Sequence, residues 1–391
     1  MKIWVISPQP FFSPRGTPFS VYYRTLITAE LGAKIDLLTY GQGEDVDIDG
    51  VNIIRIPRFK SLGDVKVGPS LLKLFLDVIL IFKTMGLLLR NDYDVVHAHE
   101  EAVFFCYVLK PLFGYKLIYD MHSSLPQQLE NFKFSQSRLL IGIFKGLEDR
   151  CLKSADAVIT ICPALADYVL GLLQKKEKHF LIENSLFDPV RLSRHVSEAK
   201  AALIEPPVLV LPSGKKSLVY AGTLEAYQGI ELMLKAFVES KLTDAVLVIV
   251  GGGPAQVEHY QNLARQMGVF ESCLFTRQVA QALAHEYMKR ADVLVSPRIE
   301  GTNTPLKVYQ LLASGIPIVA TNIYSHTQVL NQDVAFLVDP TPADMAKGML
   351  DALTQNEKRE QKIAHAHRLY EKAYSRDAYI GKMRALLECV R

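Results

Sequence analysis

Cysteine is scarce in this sequence, and no two cysteines form a C-x-x-C pair. The five are Cys106, Cys151, Cys162, Cys273 and Cys389. An odd number of widely spaced thiols argues against a disulfide framework and favours a reduced, cytoplasmic setting. The N-terminal residues, MKIWVISPQPFF, contain only a brief apolar run and predict a first β-strand instead of a signal peptide.

The sequence also has no large excess of positive or of negative charge. The 44 lysines and arginines and the 41 aspartates and glutamates leave a formal net charge of +3. That balance is too even to indicate a nucleic-acid partner. Hydrophobic residues make up 49% of the chain, which is ordinary for a folded globular protein, and its 391 residues favour two domains over one.

A long uncharged apolar run is absent as well. The segment 71–89 is apolar, but Lys73, Asp77 and Lys83 interrupt it, whereas a membrane-spanning helix needs about 20 mostly uncharged residues. With Arg90 these charges fall on one side of a helix, which favours an amphipathic helix packed on a sheet. The alternative is a helix that lies on a membrane surface, next to four upstream basic residues. Those four are Arg55, Arg58, Lys60 and Lys66.

Common catalytic and metal-binding motifs do not occur in the sequence. There is no H-E-x-x-H, no paired C-x-x-C, no G-x-S-x-G and no Walker A pattern. We therefore expect neither a resident metal nor a resident cofactor.

Short apolar runs that alternate with helical stretches are the main positive signal. The predicted strands of the first half are residues 2–7, 34–40, 51–56, 94–99, 116–120, 157–161 and 179–184. Those of the second half are residues 217–222, 245–251, 292–297, 317–321 and 335–338. Mostly continuous apolar strands indicate parallel sheets covered on both faces, so the sequence predicts two Rossmann-like, doubly wound α/β domains.

A proline-containing break around residues 193–216 separates the two patterns. We predict a first domain over residues 1–195, a linker over 196–216 and a second domain over 217–365. The last stretch, 366–391, is charged and helical, and we expect it to pack back on the first domain.

Ligands of open α/β sheets bind beyond the carboxyl ends of the strands, so the loops after strands are candidate sites. The loop after the predicted strand 292–297 contains Arg298 and Lys307. Thr304 is expected to cap a helix that has Pro305 in its first position. Free N–H groups at a helix start, together with two basic side chains, suit a diphosphate. A capped helix with solvated charges fits the same residues equally well.

Three further loops and three histidines are weaker candidates. Gly16 and Thr17 follow the first strand, Gly222 begins the segment GTLEAYQG, and Gly253 precedes a helix expected to start at Pro254. Ordinary turns explain such glycines equally well. His97 and His99 share one face of a strand, and His122 follows the next strand. A lone histidine is more often a structural group.

Six segments in order resemble family-4 retaining glycosyltransferases of the GT-B fold (glycosyl transferases group 1). They are VVHAHE, YDMHSS, ENSLFDP, YAGTLEAYQGIELMLKAF, VIVGGGP and ADVLVSPRIEGTNTPLKVYQLLASGIPIVAT. The resemblance implies that the second domain binds a nucleotide sugar, that the first supplies most acceptor contacts, and that the donor lies in the cleft between them.

Two departures from the family pattern affect the site. The family carries Glu-x7-Glu, where the first Glu contacts the donor sugar and the second the ribose. Here Gln310 takes the second place, and Glu300 lies ten positions before it. The diphosphate Arg and Lys of the family correspond to Thr223 and Gln228, so Arg298 or Lys307 is expected to compensate.

The resemblance also implies the remaining contacts. His122 matches the family histidine near the transferred sugar, and Val279 would lie near the base through its backbone. The expected catalytic residues are Glu300 and His122. The expected donor-binding residues are Gly16, Thr17, Gly222, Thr223, Gln228, Gly253, Val279, Arg298, Asn303, Thr304, Pro305, Leu306, Lys307 and Gln310.

The predicted function is retaining transfer of a hexose-type sugar from a nucleoside diphosphate sugar to an acceptor hydroxyl. A lipid-linked or cell-surface glycan at the inner face of the membrane is the expected acceptor, and a soluble acceptor is the alternative. Two other functions stay open. A nucleotide-sugar epimerase of the same architecture would need no acceptor, and a catalytically silent scaffold would bind the donor without turnover.

Overall fold

The computed structural model describes residues 1–13, 16–59, 63, 65, 70–124, 126, 138–184, 190, 211 and 214–391, without the side chains of 138–140. Contacts between Cα atoms divide the chain into two compact units. The first contains Met1–Asn184 and Tyr379–Arg391, and the second extends to Ala378. Most of the predicted linker, residues 196–216, lies outside the described residues.

The first unit is built on a seven-stranded sheet. Its strands are β1 (Lys2–Ser7), β2 (Lys34–Thr39), β3 (Val51–Arg55), β4 (Val95–His99), β5 (Lys116–Met121), β6 (Ala157–Thr160) and β7 (His179–Leu181). Its helices are α1 (Gly16–Glu30), α2 (Leu71–Leu88), α3 (Ala102–Phe113), α4 (Arg138–Ser154) and α5 (Pro163–Leu172). The strand order is β3-β2-β1-β4-β5-β6-β7, and each pair of neighbouring strands is parallel. The order reverses at β1, so the carboxyl ends of β1 and β4 mark the place where such sheets bind ligands.

The second unit repeats this plan with six strands. They are β8 (Lys216–Ala221), β9 (Ala245–Val250), β10 (Cys273–Phe275), β11 (Val293–Ser296), β12 (Ile318–Thr321) and β13 (Phe336–Val338). The helices are α6 (Ile230–Ser240), α7 (Pro254–Gln266), α8 (Gln281–Lys289), α9 (Lys307–Ala313), α10 (Tyr324–Thr327), α11 (Pro342–Thr354) and α12 (Asn356–Ala373). The parallel order is β10-β9-β8-β11-β12-β13.

The apolar strands are buried on both faces, as their composition predicts. All six residues of β9, AVLVIV, are buried, and apolar side chains of α6 and α11 pack on the same sheet. The predicted fold class, two doubly wound α/β domains, is therefore confirmed. The short strand β10 was missed, because its three half-buried residues, CLF, give too brief an apolar run.

The chain ends in two helices instead of the single one expected from residue 366. After α12, helix α13 (Arg376–Cys389) contributes most of its length to the first unit. Lys382 Nζ lies 2.6 Å from Glu183 Oε2, and Leu386 and Leu387 are buried.

Helix α2 packs on the first sheet as predicted, but most of its exposed face is apolar instead of charged. Leu76, Leu80 and Leu88 are buried, while a stripe of apolar side chains faces solvent. The stripe consists of Leu71, Leu74, Phe75, Val78, Phe82, Met85 and Leu89. The prediction of a charged helix face is wrong for Lys73 and Asp77. Both side chains instead contact polar side chains of the first unit.

None of the described helices combines the length and the apolar character that crossing a bilayer demands.

Candidate functional site

The loops at the carboxyl edge of the second sheet approach one another closely at glycines. A Cβ on Gly251 would lie 2.0 Å from the carbonyl oxygen of Gly222. Both residues have positive φ, 125° and 156°. Only glycine fits this backbone crossing without displacement. The crossing fixes the loops after β8 and β9, and so holds Gly222 and Gly253 at the edge where ligands of such sheets bind.

The loop after β11 differs from its prediction at the helix start. Thr304 does not cap a helix, because α9 begins at Lys307 with Leu306 before it and no side-chain cap. The Oγ1 atom of Thr304 is buried without a hydrogen-bond partner among the described residues. The loop is held instead by a long-range contact, in which Gln328 Nε2 donates to the carbonyl oxygen of Thr302 at 2.6 Å.

Lys307 occupies the centre of this group of loops. Its Nζ donates to Gln228 Oε1 at 3.2 Å and lies 4.1 Å from the centre of the Tyr220 ring. Burial, with the nearby charge of Arg298, lowers the pKa of Lys307 to about 7. The side chain of Lys307 therefore lies beside Gln228, the residue that corresponds to the diphosphate-binding lysine in the resemblance described above.

Arg298 is a second cation at the same edge. Its guanidinium lies 5.2 Å from the centre of the Tyr227 ring, and its Nε donates to the carbonyl oxygen of Glu300 at 2.5 Å. Among the described residues, no acidic side chain pairs with Lys307 or Arg298. Two basic side chains without a described carboxylate partner have the chemistry that suits an anionic ligand.

The other predicted residues of the second domain lie on the same edge with varied exposure. Glu300 is exposed, Thr223 is exposed, and Gln310 and Val279 are half-buried. Gly253 precedes α7, and its N–H donates to Gln256 Oε1 at 3.1 Å. The helix begins at Pro254 as expected, and the side chain of Gln256 already accepts from the N–H group of the residue before the helix, Gly253. Of the rest of the loop, Asn303 and Leu306 are half-buried and Pro305 is buried.

The carboxyl edge of the first sheet holds a buried group of histidines around one carboxylate. Asp120, in β5, lies within 3.3 Å of nitrogens from four side chains. His97 Nε2 is 3.0 Å away, His99 Nδ1 3.3 Å, His122 Nε2 3.2 Å and Arg24 Nε 2.9 Å. All five side chains are buried. We call these five residues the Asp120 cluster.

Electrostatics fix the charges of two members of the Asp120 cluster. Burial alone would raise the pKa of Asp120, but the guanidinium of Arg24 outweighs it and holds the pKa well below its usual range. Burial lowers the pKa of His99 well below its usual value. The cluster therefore contains an ionised carboxylate paired with a guanidinium and a neutral His99.

His97, His99 and Asp120 also have the side-chain types of a metal site. The guanidinium of Arg24 is 2.9 Å from the carboxylate oxygen that both histidines approach. A divalent cation would have to share the only carboxylate of this group with a buried arginine, which opposes binding. The described geometry fits a hydrogen-bonded group better than a metal centre.

A second polar group on the first unit was not predicted. Tyr40 donates to Asp77 Oδ1 at 2.5 Å, and Lys73 Nζ lies 2.5 Å from Glu101 Oε1. Burial, reinforced by the charge of Glu101, raises the pKa of Asp77 to about 7. Glu101 follows β4 just beyond His99, so these residues lie near the same carboxyl edge.

The remaining predicted residues of the first domain lie at the start of α1. Gly16 is exposed and Thr17 half-buried. A Cβ on Gly16 would meet nothing within 4 Å, so backbone room for a ligand is available there. Pro14 and Arg15, which precede them, lie outside the described residues.

Comparison with family models shows the family of the chain. Residues 21–185 match the model described as Glycosyltransferase Family 4, and residues 204–369 match Glycosyl transferases group 1. Together these two matches extend over most of the chain. The chain therefore belongs to the group 1 glycosyltransferases of the GT-B fold, which confirms the predicted family and glycosyltransferase activity.

Two relatives match most of the length of the chain. A phosphatidyl-myo-inositol mannosyltransferase of Mycobacterium leprae is 29% identical, over 90% of this chain and 86% of the relative. An uncharacterised glycosyltransferase of Methanocaldococcus jannaschii is 23% identical, over 88% and 87% of the two chains.

Solved structures show the same fold. Sucrose-phosphate synthase from Thermosynechococcus elongatus is similar with a TM-score of 0.72 and 18% identity, over 99% of this chain and 98% of that chain. The Anabaena protein HepE, in complex with UDP, gives a TM-score of 0.70 and 14% identity, over 99% and 100% of the two chains.

Proposed function

We propose that this glycosyltransferase uses a nucleoside diphosphate sugar as donor. One observation carries the proposal: Lys307 and Arg298 lie together at the carboxyl edge of the second sheet, and no described acidic side chain pairs with either. A diphosphate would supply the missing negative charge. The structure of HepE with UDP-glucose, a protein of the same fold, supports this choice of ligand class.

The proposed chemistry is transfer of a hexose to an acceptor hydroxyl with retention of the anomeric configuration. The leaving diphosphate gains negative charge as the glycosidic bond breaks, and Lys307 and Arg298 would stabilise that charge. Glu300 and His122 would contact the transferred sugar, and Gln310 the ribose. No resident metal or cofactor is proposed, because the cations of the site are side chains and the nucleotide sugar is a co-substrate.

A thermal-shift screen tests the donor class. Nucleoside diphosphates and their sugars are expected to raise Tm, since a ligand at 100 times its Kd stabilises the folded state by about 2.7 kcal/mol. Uridine, which lacks phosphate, is the matched control and should give little shift. If none of the uridine, guanosine or adenosine diphosphates and their sugars raises Tm, the proposed donor site is wrong.

The proposed acceptor is a lipid-linked glycan, reached from the surface of a bilayer at the cytoplasmic face. The solvent-facing stripe of α2 supports this proposal, because its apolar residues recur every three or four positions along one face. The exposed Lys83 and Arg90 border the stripe and would meet anionic headgroups. The name of the mycobacterial relative, a phosphatidyl-myo-inositol mannosyltransferase, agrees with a lipid acceptor.

Flotation with vesicles tests the membrane surface. The protein is expected to float with vesicles of phosphatidylcholine and phosphatidylglycerol and less with phosphatidylcholine alone. Replacing Val78 and Phe82, which are 50% and 69% exposed, by serine should weaken binding more than about tenfold, because each buried apolar side chain contributes about 1.5–3 kcal/mol. Val238→Ser, at an exposed apolar position of the second unit, is the control. If the unaltered protein does not float with either kind of vesicle, the proposed binding to a membrane surface is wrong.

A further inference from the structure

Helix α10 carries a buried histidine that joins the ends of two strands of the second sheet. The ring of His326 lies between Ser296, the last residue of β11, and Thr321, the last residue of β12, and all three side chains are buried. His326 Nδ1 is 2.9 Å from the carbonyl oxygen of Thr321 and 3.1 Å from its Oγ1. His326 Nε2 is 2.9 Å from Ser296 Oγ, so both ring nitrogens have partners.

These partners decide which ring nitrogen carries the proton. Burial, with the nearby charges of Lys307 and Arg298, lowers the pKa of His326 to about 4. The ring is therefore neutral at pH 7 and has a single N–H group. A carbonyl oxygen can only accept a hydrogen bond, so Nδ1 carries the proton and donates to Thr321. Nε2 is then the acceptor for the hydroxyl of Ser296.

Thr321 links the ring to the loop that follows β11. Its Oγ1 lies beside the Nδ1–H group of His326, and its hydroxyl donates to the carbonyl oxygen of Arg298. The segment around α10 also reaches the other end of this loop, because Gln328, the residue after α10, donates to the carbonyl oxygen of Thr302. The backbone of residues 298–302 is therefore held at both ends from one segment.

This loop carries one of the two cations of the candidate donor site. Arg298 Nε donates to the carbonyl oxygen of Glu300 at 2.5 Å, so a shift of the loop backbone would move the guanidinium as well. We propose that His326 is a positioning residue of the donor site, whose Nδ1–H group acts through Thr321 to fix the backbone of Arg298 where its guanidinium meets the diphosphate. The inference rests on the proposed function, in which Arg298 stabilises the charge of the diphosphate.

Two substitutions separate the roles of the two ring nitrogens. His326→Asn places an amide N–H group near the position of Nδ1, whereas His326→Gln places its amide near Nε2 and keeps only the contact with Ser296. We expect His326→Gln to weaken UDP binding about tenfold, the effect of one lost buried hydrogen bond, and His326→Asn to stay within about threefold of the unaltered protein. Isothermal titration of the full chain with UDP measures both. Equal losses in the two variants, or no loss in His326→Gln, would overturn the inference.

A double-variant cycle with Arg298 distinguishes positioning from a merely structural role. If His326 acts on UDP through Arg298, His326→Gln should cause no further loss of UDP affinity in Arg298→Met protein, although it should lower Tm in both backgrounds. A second loss of about tenfold in that background would contradict the inference. Ser240→Ala, which removes a buried hydroxyl that donates to the carbonyl oxygen of Phe237 at 2.7 Å in α6, is the control. It should lower Tm and leave UDP affinity unchanged.

Hydrogen exchange in the absence of ligand separates this inference from the proposed function. The amides of residues 298–302 should exchange faster in His326→Gln than in His326→Asn or in the unaltered protein. Equal exchange in all three would show that His326 does not hold the loop. If UDP does not bind the unaltered protein, or if Arg298→Met leaves UDP affinity unchanged, the proposed role of Arg298 in donor binding is wrong. The exchange rates still decide whether His326 fixes the backbone of Arg298.

A second variant keeps the test decisive if His326→Gln does not fold. Thr321→Val removes the hydroxyl that donates to the carbonyl oxygen of Arg298 and keeps the shape of the buried side chain. It should also weaken UDP binding about tenfold and speed exchange of residues 298–302. Thr321→Val protein with unchanged UDP affinity and unchanged exchange would overturn the inference.

Discussion

Replacing Lys307 by methionine is expected to weaken UDP binding about 10- to 100-fold. Charge-assisted hydrogen bonds to a phosphate contribute about 1.5–3 kcal/mol each, and the variant loses the cation nearest to Gln228. Methionine keeps the apolar stem of the side chain against the Tyr220 ring, so the fold should be retained. Isothermal titration with UDP measures the loss.

The matched control is Lys235→Met, which removes an exposed lysine of α6 that pairs only with Glu231. It should leave UDP affinity within a factor of two or so, as is usual for surface changes. Equal affinity of Lys307→Met and the unaltered protein would contradict the assignment of Lys307 to the diphosphate.

The same lysine should make donor affinity depend on pH. Its pKa in the free protein is lowered to about 7, and a bound diphosphate would raise it. Below pH 7 the amine is protonated in both states and affinity is constant. Above pH 7 binding must take up a proton, so affinity should fall towards tenfold per pH unit.

A nucleoside diphosphate sugar is the suitable ligand for this titration, because its phosphates do not titrate between pH 7 and 9. Lys307→Arg stays protonated throughout this range and should give a flat profile. Affinity of the unaltered protein that does not change between pH 7 and 9 would be inconsistent with the lowered pKa.

Glu300→Ala is expected to lower kcat about 100- to 1000-fold while UDP affinity changes little. The carboxylate is exposed and has no described partner, so its loss should not disturb the fold. Its proposed contact is with the donor sugar, whose hydrogen bonds strengthen as the glycosidic bond breaks. Steady-state transfer with the donor found by thermal shift measures kcat.

Glu258→Ala, at an exposed position of α7, is the control for loss of one surface carboxylate. Transfer by Glu300→Ala at near the normal rate would refute the role of Glu300. Absence of transfer in the unaltered protein, with donor binding intact, would favour the silent scaffold over an active enzyme.

The fold followed from the sequence because its signals are local. Buried parallel strands such as β4 and β9 are continuous apolar runs, and the helices between them are long enough to be recognised. The start of α9 was misplaced because Thr304 and Pro305 have the local signature of a cap. In the structure Thr321 donates its hydroxyl to the carbonyl oxygen of Arg298, and Gln328 holds Thr302. Contacts between residues that are distant in the sequence cannot be predicted from a local sequence pattern.

The candidate site was only partly predictable for the same reason. The prediction that Arg298 or Lys307 compensates rested on missing charges at Thr223 and Gln228, and the structure places Lys307 beside Gln228. Arg24 carried no such signal, because it lies far from Asp120 in the sequence and only the folding of the first unit brings the two side chains together. A charged residue within the apolar stretch VYYRTLIT was the one available hint.

The placement of α13 in the first unit has a consequence for biosynthesis. The ribosome releases residues 1–184 long before Leu386 and Leu387, whose side chains complete the packing of that unit. During translation the first unit therefore stays incomplete, with apolar surface exposed to solvent, while the second unit emerges from the ribosome and folds. Premature termination shortly before Tyr379 would therefore damage the domain made first and spare the one made last.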